Sequence, residues 1–354
     1  MDARLAHFEL PDALNATMPP ERREIRRDHV RMMVLDRLTG QTTHARFYEL
    51  ERFLRAGDLL VLNSSRTIPA ILYGAWERGG IELQKRVELR LARRVDEESW
   101  DVLPVVTGGS RSVAPGDTFR IKPSLVATAA ECVGEGFCSP LLVRIVFSCS
   151  GTELMDQIYA LGEPIRYEYI KQPWELDYYQ TVYASTPGSV EMPSAGRAFS
   201  WELLFKLQRR GVQIAYVELH TGLSYWLEEG GHPAPEVNYE KYVVPAEAVE
   251  QIRETRKLGG RVVAVGTTVV RALESAVGED GVLLEGAGWT NLFIDRTRPL
   301  RVTDGLITGF HEPEASHLDM LSAFIDPELL GEAYQEAIAQ GYLWHEFGDM
   351  NLIL

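Results

Sequence analysis

The stretch 261–275, RVVAVGTTVVRALES, joins a run suited to a buried strand to a run with helical spacing through one glycine and two hydroxyl residues. A helix N-terminus carries unpaired N–H groups and a partial positive charge. Thr267 or Thr268 can cap those donors, and Gly266 lets a ligand approach the backbone. Such a turn can hold a carboxylate or a phosphate; an ordinary β–α turn with a threonine cap is the alternative. LHTGLSYW (219–226) puts His220 where the strand-like run VQIAYVEL ends. That position often carries function in α/β folds, though a histidine there is still more often a structural hydrogen-bonding residue. MPSAGRAF (192–199) sets Ser194, Ala195 and Gly196 in a compact loop whose backbone can approach a ligand. TDGLITGFHEPEASHLD (303–319) gathers His311, Glu312, Glu314, His317 and Asp319, but their spacing matches no zinc-peptidase pattern, so we expect no metal. A GxSxG elbow, a Walker loop and a GxGxxG after a strand are all missing, and GEG at 134–136 lies in a β-rich stretch.

The elements that must position these residues follow from periodicity. RMMVLD and QTTHARF read as a hairpin around Leu38-Thr39-Gly40. YELERFLRAG reads as a short helix closed by Gly57, and DLLVLNSSRTIPAILYG as a buried strand, a polar break at 63–66, and a second strand. Residues 75–165 hold short β-type runs separated by turns such as TGGSRS and APGD, the pattern of a small antiparallel barrel. From Pro173 onward helices and strands alternate. SWELLFKLQRRG has a Ser200 cap, PAEAVEQIRETRKLGG starts at Pro245, a helix covers about 327–340, and FGDMNLIL ends the chain as a strand. The fold class expected is therefore α/β: a large α/β domain (1–74 and 166–354) interrupted by a small antiparallel β-barrel domain (75–165).

The 354 residues suit about two domains. No apolar run approaches the roughly 18 residues of a membrane span, and MDARLAHFELPDAL lacks the features of a signal peptide, so a cytoplasmic protein with no membrane partner is expected. Three cysteines (Cys132, Cys138, Cys149) in one region match no zinc pattern and read as buried free thiols. The net charge of −15 opposes wholesale nucleic-acid binding. One local exception is ERREIRRDHVR, where several of Arg22, Arg23, Arg26, Arg27 and Arg31 share a face if helical; pairing with Glu21, Glu24 and Asp28 is the favoured reading.

Taken in order, GDLLVLNSSRTIPAIL, YQTVYASTPGSVEMPSAG, VELHTGL, VVAVGTTVVRALES, GWTNLFI, TDGLITGFHEP and GDMNLIL resemble the S-adenosylmethionine:tRNA ribosyltransferase-isomerase family of queuosine biosynthesis, over nearly the whole chain. The resemblance implies an α/β domain with barrel-like character interrupted by a small β-barrel. It implies S-adenosylmethionine as a substrate that donates its ribosyl moiety, a tRNA partner, and no metal. The sulfonium acidifies the adjacent ribose carbon; proton removal there, ring rearrangement and loss of adenine and methionine attach a cyclopentane epoxide to the aminomethyl group of a 7-deazaguanine base.

On this resemblance the Gly266-Thr267-Thr268 turn holds part of the substrate, aided by Arg271, which shares a helix face with Glu274. Asn63, Ser65 and Arg66 line the same site, with Ser194, Ala195, Gly196 and Gly222. His220 is the first candidate for general base, with Glu240 and His311 behind it. Three departures stand out. Arg197-Ala198-Phe199 replaces the family's Leu-His-Phe, Val237-Asn238-Tyr239 replaces histidines before Glu240, and Glu312-Pro313-Glu314 replaces Leu-Pro-Lys. An acidic group where a basic one meets phosphate loses favourable interaction. Such changes fit a paralogue that cleaves S-adenosylmethionine or transfers part of it to a small molecule, and equally drift within a divergent branch; a non-catalytic sensor of S-adenosylmethionine or a nucleoside is a third reading, from a different class.

Overall fold

The computed structural model describes residues 8–106, 112–131, 142–165, 167, 169–170, 172–224, 238–313 and 316–354. Nine strands form one sheet, in the order Gly286–Thr290, Glu240–Val244, Gln213–Leu219, Leu59–Asn63, Val262–Val265, Gly305–Gly309, Met350–Ile353, Arg31–Leu35 and Thr42–Arg46. Four of them, Gln213–Leu219, Leu59–Asn63, Val262–Val265 and Gly305–Gly309, are mutually parallel and central. Every residue of Leu59–Asn63 and Val262–Val265 is buried, as parallel strands covered on both faces require. Leu59, Val61, Val217, Ala264 and Leu306 face one core, closed by helices Ala246–Lys257, Thr267–Ser275 and Pro327–Ala339. Leu60, Leu62, Val263, Val265 and Ile307 face the other, closed by helix Trp201–Arg209 and the 3-10 helix Phe47–Arg52.

Strands Ile71–Arg78, Ile81–Arg94, Ser99–Val105, Thr118–Lys122, Leu125–Ala130 and Val143–Phe147 close a separate six-stranded antiparallel barrel around Trp76, Trp100, Phe119 and Ile145. Asp117, 1% exposed, ties its interior by accepting from Trp76 Nε1 (2.9 Å) and the Arg78 guanidinium (2.7 Å). The closed barrel is this small one; the nine-stranded sheet is open at both edges.

Local signals for helix ends hold where a side chain can act alone. Ser200 Oγ accepts from Leu203 N (3.2 Å) and starts Trp201–Arg209. The terminal strand Met350–Ile353 pairs with both Gly305–Gly309 and Arg31–Leu35. Two helix readings are corrected. YELERFLRAG forms a 3-10 helix, Phe47–Arg52. The arginine-rich stretch is not one helix but two 3-10 turns, Pro20–Arg23 and Arg27–His29, because Glu24 turns left-handed (φ 61°) and ends the first. Its arginines are occupied within the molecule. Arg22 lies over the Tyr178 ring (5.2 Å), Arg23 donates to Phe347 O (2.5 Å), Arg26 pairs with Asp28 (3.1 Å), Arg27 with Glu21 (3.1 Å), and Arg31 covers Tyr342 (3.9 Å). Cys149 is a half-buried free thiol; Cys132 and Cys138 lie outside the described residues. Among the described residues no helix is long and apolar enough to cross a membrane.

Candidate functional site

Parallel alignment brings the C-terminal ends of the four central strands to one edge, where open α/β sheets bind ligands. Asn63 ends the second of them and is 2% exposed. Its Oδ1 accepts from Leu219 N and Ser65 N (3.1 Å each), and its Nδ2 donates to Leu219 O (2.9 Å) and Thr268 Oγ1 (3.3 Å). One side chain therefore clasps two strand ends, the start of Ser65–Thr67 and the start of helix Thr267–Ser275, and all of its hydrogen-bonding capacity is used within the protein.

Beside it Gly266 takes a positive φ of 96°, the position where lack of a Cβ matters, and helix Thr267–Ser275 begins. Thr267 and Thr268 enter the helix and make no side-chain cap, in contrast to the capping role expected. Among the described residues the amides of Thr267 and Thr268 have no acceptor, which leaves helix-end donors at this edge. The Ser194–Gly196 turn packs over Gly266, with Ala195 Cβ 3.3 Å from where a Gly266 side chain would begin. Gly196 is needed because a Cβ there would lie 2.0 Å from Tyr183 Oη, so Tyr183 shapes the turn.

One helical turn into Thr267–Ser275, Arg271 forms an ion pair with Glu240, whose side chain is only 5% exposed; Glu240 Oε1 also accepts from Gly222 N (3.1 Å). Arg271, Glu240 and Gly222 thus meet as one unit. Glu274 does not join them. It is buried under the 301–303 loop, accepting from the amides of Arg301 (3.0 Å), Val302 (2.9 Å) and Thr303 (3.3 Å). Arg66 also points elsewhere: it alternates to the far side of strand Ser65–Thr67 and lies over Tyr159 at 6.0 Å. His311 sits past the end of Gly305–Gly309, stacked on His317 (4.4 Å) with Nε2 against Thr308 Oγ1 (2.7 Å). Its burial holds the ring well below the ordinary histidine range.

His220 follows strand Gln213–Leu219 and fronts a cleft. Nδ1 meets Ser65 Oγ at 2.7 Å; Ser65 Oγ meets Ser189 Oγ at 2.6 Å; and Ser189 Oγ accepts from Thr221 N at 3.1 Å. Gly188 packs flat on the ring, where a Cβ would come within 2.6 Å of Nδ1. Burial pushes the imidazole down to about 4, so it is neutral at pH 7. The cleft, with an empty volume of about 560 Å³, opens between the barrel segment 92–97 and the strand ends; Arg94, Lys241, Glu97, Tyr239 and Trp289 line it with His220. Its walls offer both charge signs and aromatic faces.

Several functional candidates escape sequence reasoning. Glu191 accepts from Ser224 N (2.7 Å) and Ser224 Oγ (2.9 Å), and burial pushes its carboxyl up to about 7. Ser189, Gly188 and Tyr183 act through contacts with residues far along the chain, and no spacing announces them. Among the described residues no three His, Cys, Asp or Glu side chains are grouped to hold a metal; Glu314 lies outside those residues. One of the departures is filled structurally. Arg197, 2% exposed, pairs with Glu21 (2.6 Å), whereas Glu312 is exposed and lies 3.5 Å from His345, a ring that burial pushes down to about 4 and so keeps uncharged at neutral pH.

Residues 4–353 match the profile of the family described as queuosine biosynthesis protein. Proteins of Thermoanaerobacter sp. (strain X514) and Carboxydothermus hydrogenoformans, each named S-adenosylmethionine:tRNA ribosyltransferase-isomerase, are 36% and 37% identical over 98% of this chain and 98% of each relative. The crystal structure of S-adenosylmethionine tRNA ribosyltransferase from Thermotoga maritima is similar over 98% of this chain and 99% of that one, with 33% identity and a TM-score of 0.55. The strand-end site and its two-lobed frame thus lie in a chain that belongs to the queuosine-biosynthesis family of S-adenosylmethionine:tRNA ribosyltransferase-isomerases, a family of enzymes.

Proposed function

We propose that this enzyme transfers the ribosyl moiety of S-adenosylmethionine to the aminomethyl-deazaguanine base of a tRNA, forming epoxyqueuosine at the C-terminal edge of the parallel strands. The supporting observation is convergence. His220 and Gly222 line one cleft, Gly222 N reaches back to the Glu240–Arg271 pair behind it, and Thr268 joins through Asn63, which also holds the amide of Ser65 beside His220. A cleft with cations, carboxylates and aromatic rings suits a zwitterionic nucleoside whose carboxylate, ammonium and adenine each need a partner. The reaction begins with loss of the proton on the carbon next to the sulfonium. The resulting ylide-like carbon rearranges with the ribose ring, adenine and methionine depart, and the acceptor amine takes the new ring. The groups proposed at this edge are His220 with Glu240 and His311, and for binding Ser65, Asn63, Gly266, Thr267, Thr268, Arg271, Gly222 and the Ser194–Gly196 turn. Residues 92–97 form the opposite wall, within a barrel segment (75–165) read as an inserted domain, and a tRNA acceptor is in keeping with a cytoplasmic protein.

Incubation with S-adenosylmethionine, with and without tRNA carrying the aminomethyl-deazaguanine base, tests the reading. Adenine and methionine released only with that tRNA is the expected result. Release without tRNA identifies a paralogue with a small-molecule acceptor. Calorimetric binding without turnover identifies a sensor.

Gly188→Ala follows as a second prediction. The new methyl must displace the His220 ring, at a stability cost of about 1–3 kcal/mol. Turnover should fall at least tenfold, because displacements on this scale misalign reacting groups. A parent-like rate would remove His220 from the reacting centre. A third concerns pH. A histidine whose folded pKa is depressed costs stability as pH falls, because the unfolded chain binds the proton first. The stability of the parent relative to His220→Gln should therefore drop as pH falls from about 6.5 to about 4. Thermal melts of both proteins across that window check it, and parallel curves would reject the burial of a neutral ring.

A further inference from the structure

We propose that the Ser189–Ser65 hydroxyl pair locks His220 as the Nε2–H tautomer, so that the ring meets the substrate as a hydrogen-bond donor rather than as a proton acceptor. The inference rests on the placement of His220 at the reacting centre made above, and it reverses the role of general base that sequence resemblance suggests.

The argument is an accounting of hydrogens along one buried chain. Thr221 N–H donates to Ser189 Oγ (3.1 Å), which occupies an acceptor site and offers no choice of direction. Ser189 is 0% exposed, and among the described residues its only other side-chain partner is Ser65 Oγ at 2.6 Å. Ser65, 1% exposed, has two side-chain partners, Ser189 Oγ and His220 Nδ1 at 2.7 Å. Two directions are possible. If His220 Nδ1 carried the proton, it would donate to Ser65, Ser65 would donate to Ser189, and the Ser189 hydroxyl hydrogen would be left buried with no acceptor. In the opposite direction Ser189 donates to Ser65, Ser65 donates to His220 Nδ1, and every hydrogen in the chain is used. A buried donor without an acceptor carries its full desolvation penalty, so the second direction prevails.

The ring's only remaining hydrogen then sits on Nε2. Among the described residues Nε2 has no partner within the protein, and the ring lines the cleft. Gly188 against its face keeps it from turning. Burial, with Lys241 on the adjacent strand and Arg94 across the cleft acting in the same direction, outweighs Glu218 at the end of strand Gln213–Leu219, and the ring stays uncharged at neutral pH. A neutral imidazole N–H is a fixed dipole. It stabilises an oxygen or ring nitrogen that gains negative charge as a bond breaks, without itself giving up or taking a proton. In the proposed reaction the departing adenine and the ribose ring oxygen are groups of that kind. The proton from the ribose carbon goes to a different group.

Two measurements test this, one of them independent of any activity. Long-range proton–nitrogen NMR of the ligand-free protein, labelled with nitrogen-15 at histidine and assigned by comparison with His220→Gln, should show His220 protonated at Nε2 and bare at Nδ1. Ser65→Ala should release the ring to a mixture of both tautomers. A parent ring protonated at Nδ1 or at both nitrogens overturns the proposal, as does a tautomer unchanged by Ser65→Ala. In turnover, His220→Gln keeps an N–H donor in nearly the same place but cannot accept a proton. It should retain activity within about tenfold of the parent, whereas His220→Ala should lose about a hundredfold or more. Equal loss in both, with melting temperatures showing that both fold, overturns the donor role. Absence of any turnover in the parent instead overturns the proposed reaction, and the NMR result still decides the tautomer.

Discussion

Asn63→Ala is expected to lower the melting temperature by roughly 4 °C, the shift that about 3 kcal/mol produces in a chain of 354 residues with an unfolding entropy of about 2.1 cal/mol/K per residue. Alanine leaves the buried amides of Leu219 and Ser65 without an acceptor, and Leu219 O and Thr268 Oγ1 without a donor. Each orphaned buried donor costs about 1–3 kcal/mol, and the full sum is reduced by local relaxation. Function should suffer with stability, because this clasp holds the ends of Leu59–Asn63 and Gln213–Leu219 and the start of Thr267–Ser275 in register. Asn63→Asp separates the acceptor part from the donor part. It keeps an oxygen for the two amides but turns a carboxylate oxygen toward Leu219 O. Near neutral pH it should be about as destabilising as alanine. As pH falls and the acid protonates, an O–H donor reappears and the deficit relative to parent should shrink. Melting curves of the three proteins at pH 7 and pH 5 decide this. A loss below about 1 kcal/mol for Asn63→Ala, the worth of one ordinary hydrogen bond, would show that the four bonds are not acting together.

Arg271→Ala should be the second severe change, and for a reason the sequence conceals. Read as a helix residue one turn from a ligand-binding turn, Arg271 would lose affinity on truncation and leave the fold intact. In the structure it neutralises Glu240, whose side chain is 5% exposed and holds Gly222 N. Removing one partner of a buried ion pair strands the other charge, at a cost of about 3–5 kcal/mol. Arg271→Met combined with Glu240→Gln removes both charges, and Gln can still accept from Gly222, so most of the stability should return. That double variant is the proper probe of binding. If it folds and binds S-adenosylmethionine as the parent does, Arg271 serves only the fold. If it folds and binds at least tenfold more weakly, the pair contributes to the site. Failure of the double variant to recover stability would show that packing, not charge, is what Arg271 supplies.

The family's residues also show how a motif changes meaning with its neighbours. Arg197 stands where the family has leucine, with Ala198 in the histidine's place, and it reaches to Glu21 and to Tyr178 O (3.1 Å). The arginine-rich stretch near residue 26, which spacing alone allows as a basic face, is spent on the aromatic and C-terminal segments around Trp174, Tyr178, Tyr342 and Phe347.

What the chain's order of residues determined alone was whatever depends on near neighbours. Period-two and continuous apolar runs set the strands Leu59–Asn63, Gln213–Leu219 and Val262–Val265, and Ser200 set the start of its helix. The turn-rich run of short β segments marked the barrel. The same local logic failed at Thr267 and Thr268, because Gly266 takes the capping position itself, and at 21–31, where Glu24 breaks the helix. Only the tertiary structure decided the partners of the polar side chains. Asn63 and Leu219 are 156 positions apart, Ser65 and Ser189 are 124 apart, and Ser65 and His220 are 155 apart. Hydrogen bonds and ion pairs act over about 3 Å, so which hydroxyl faces which imidazole is set by strand order and register, and those are properties of the assembled sheet.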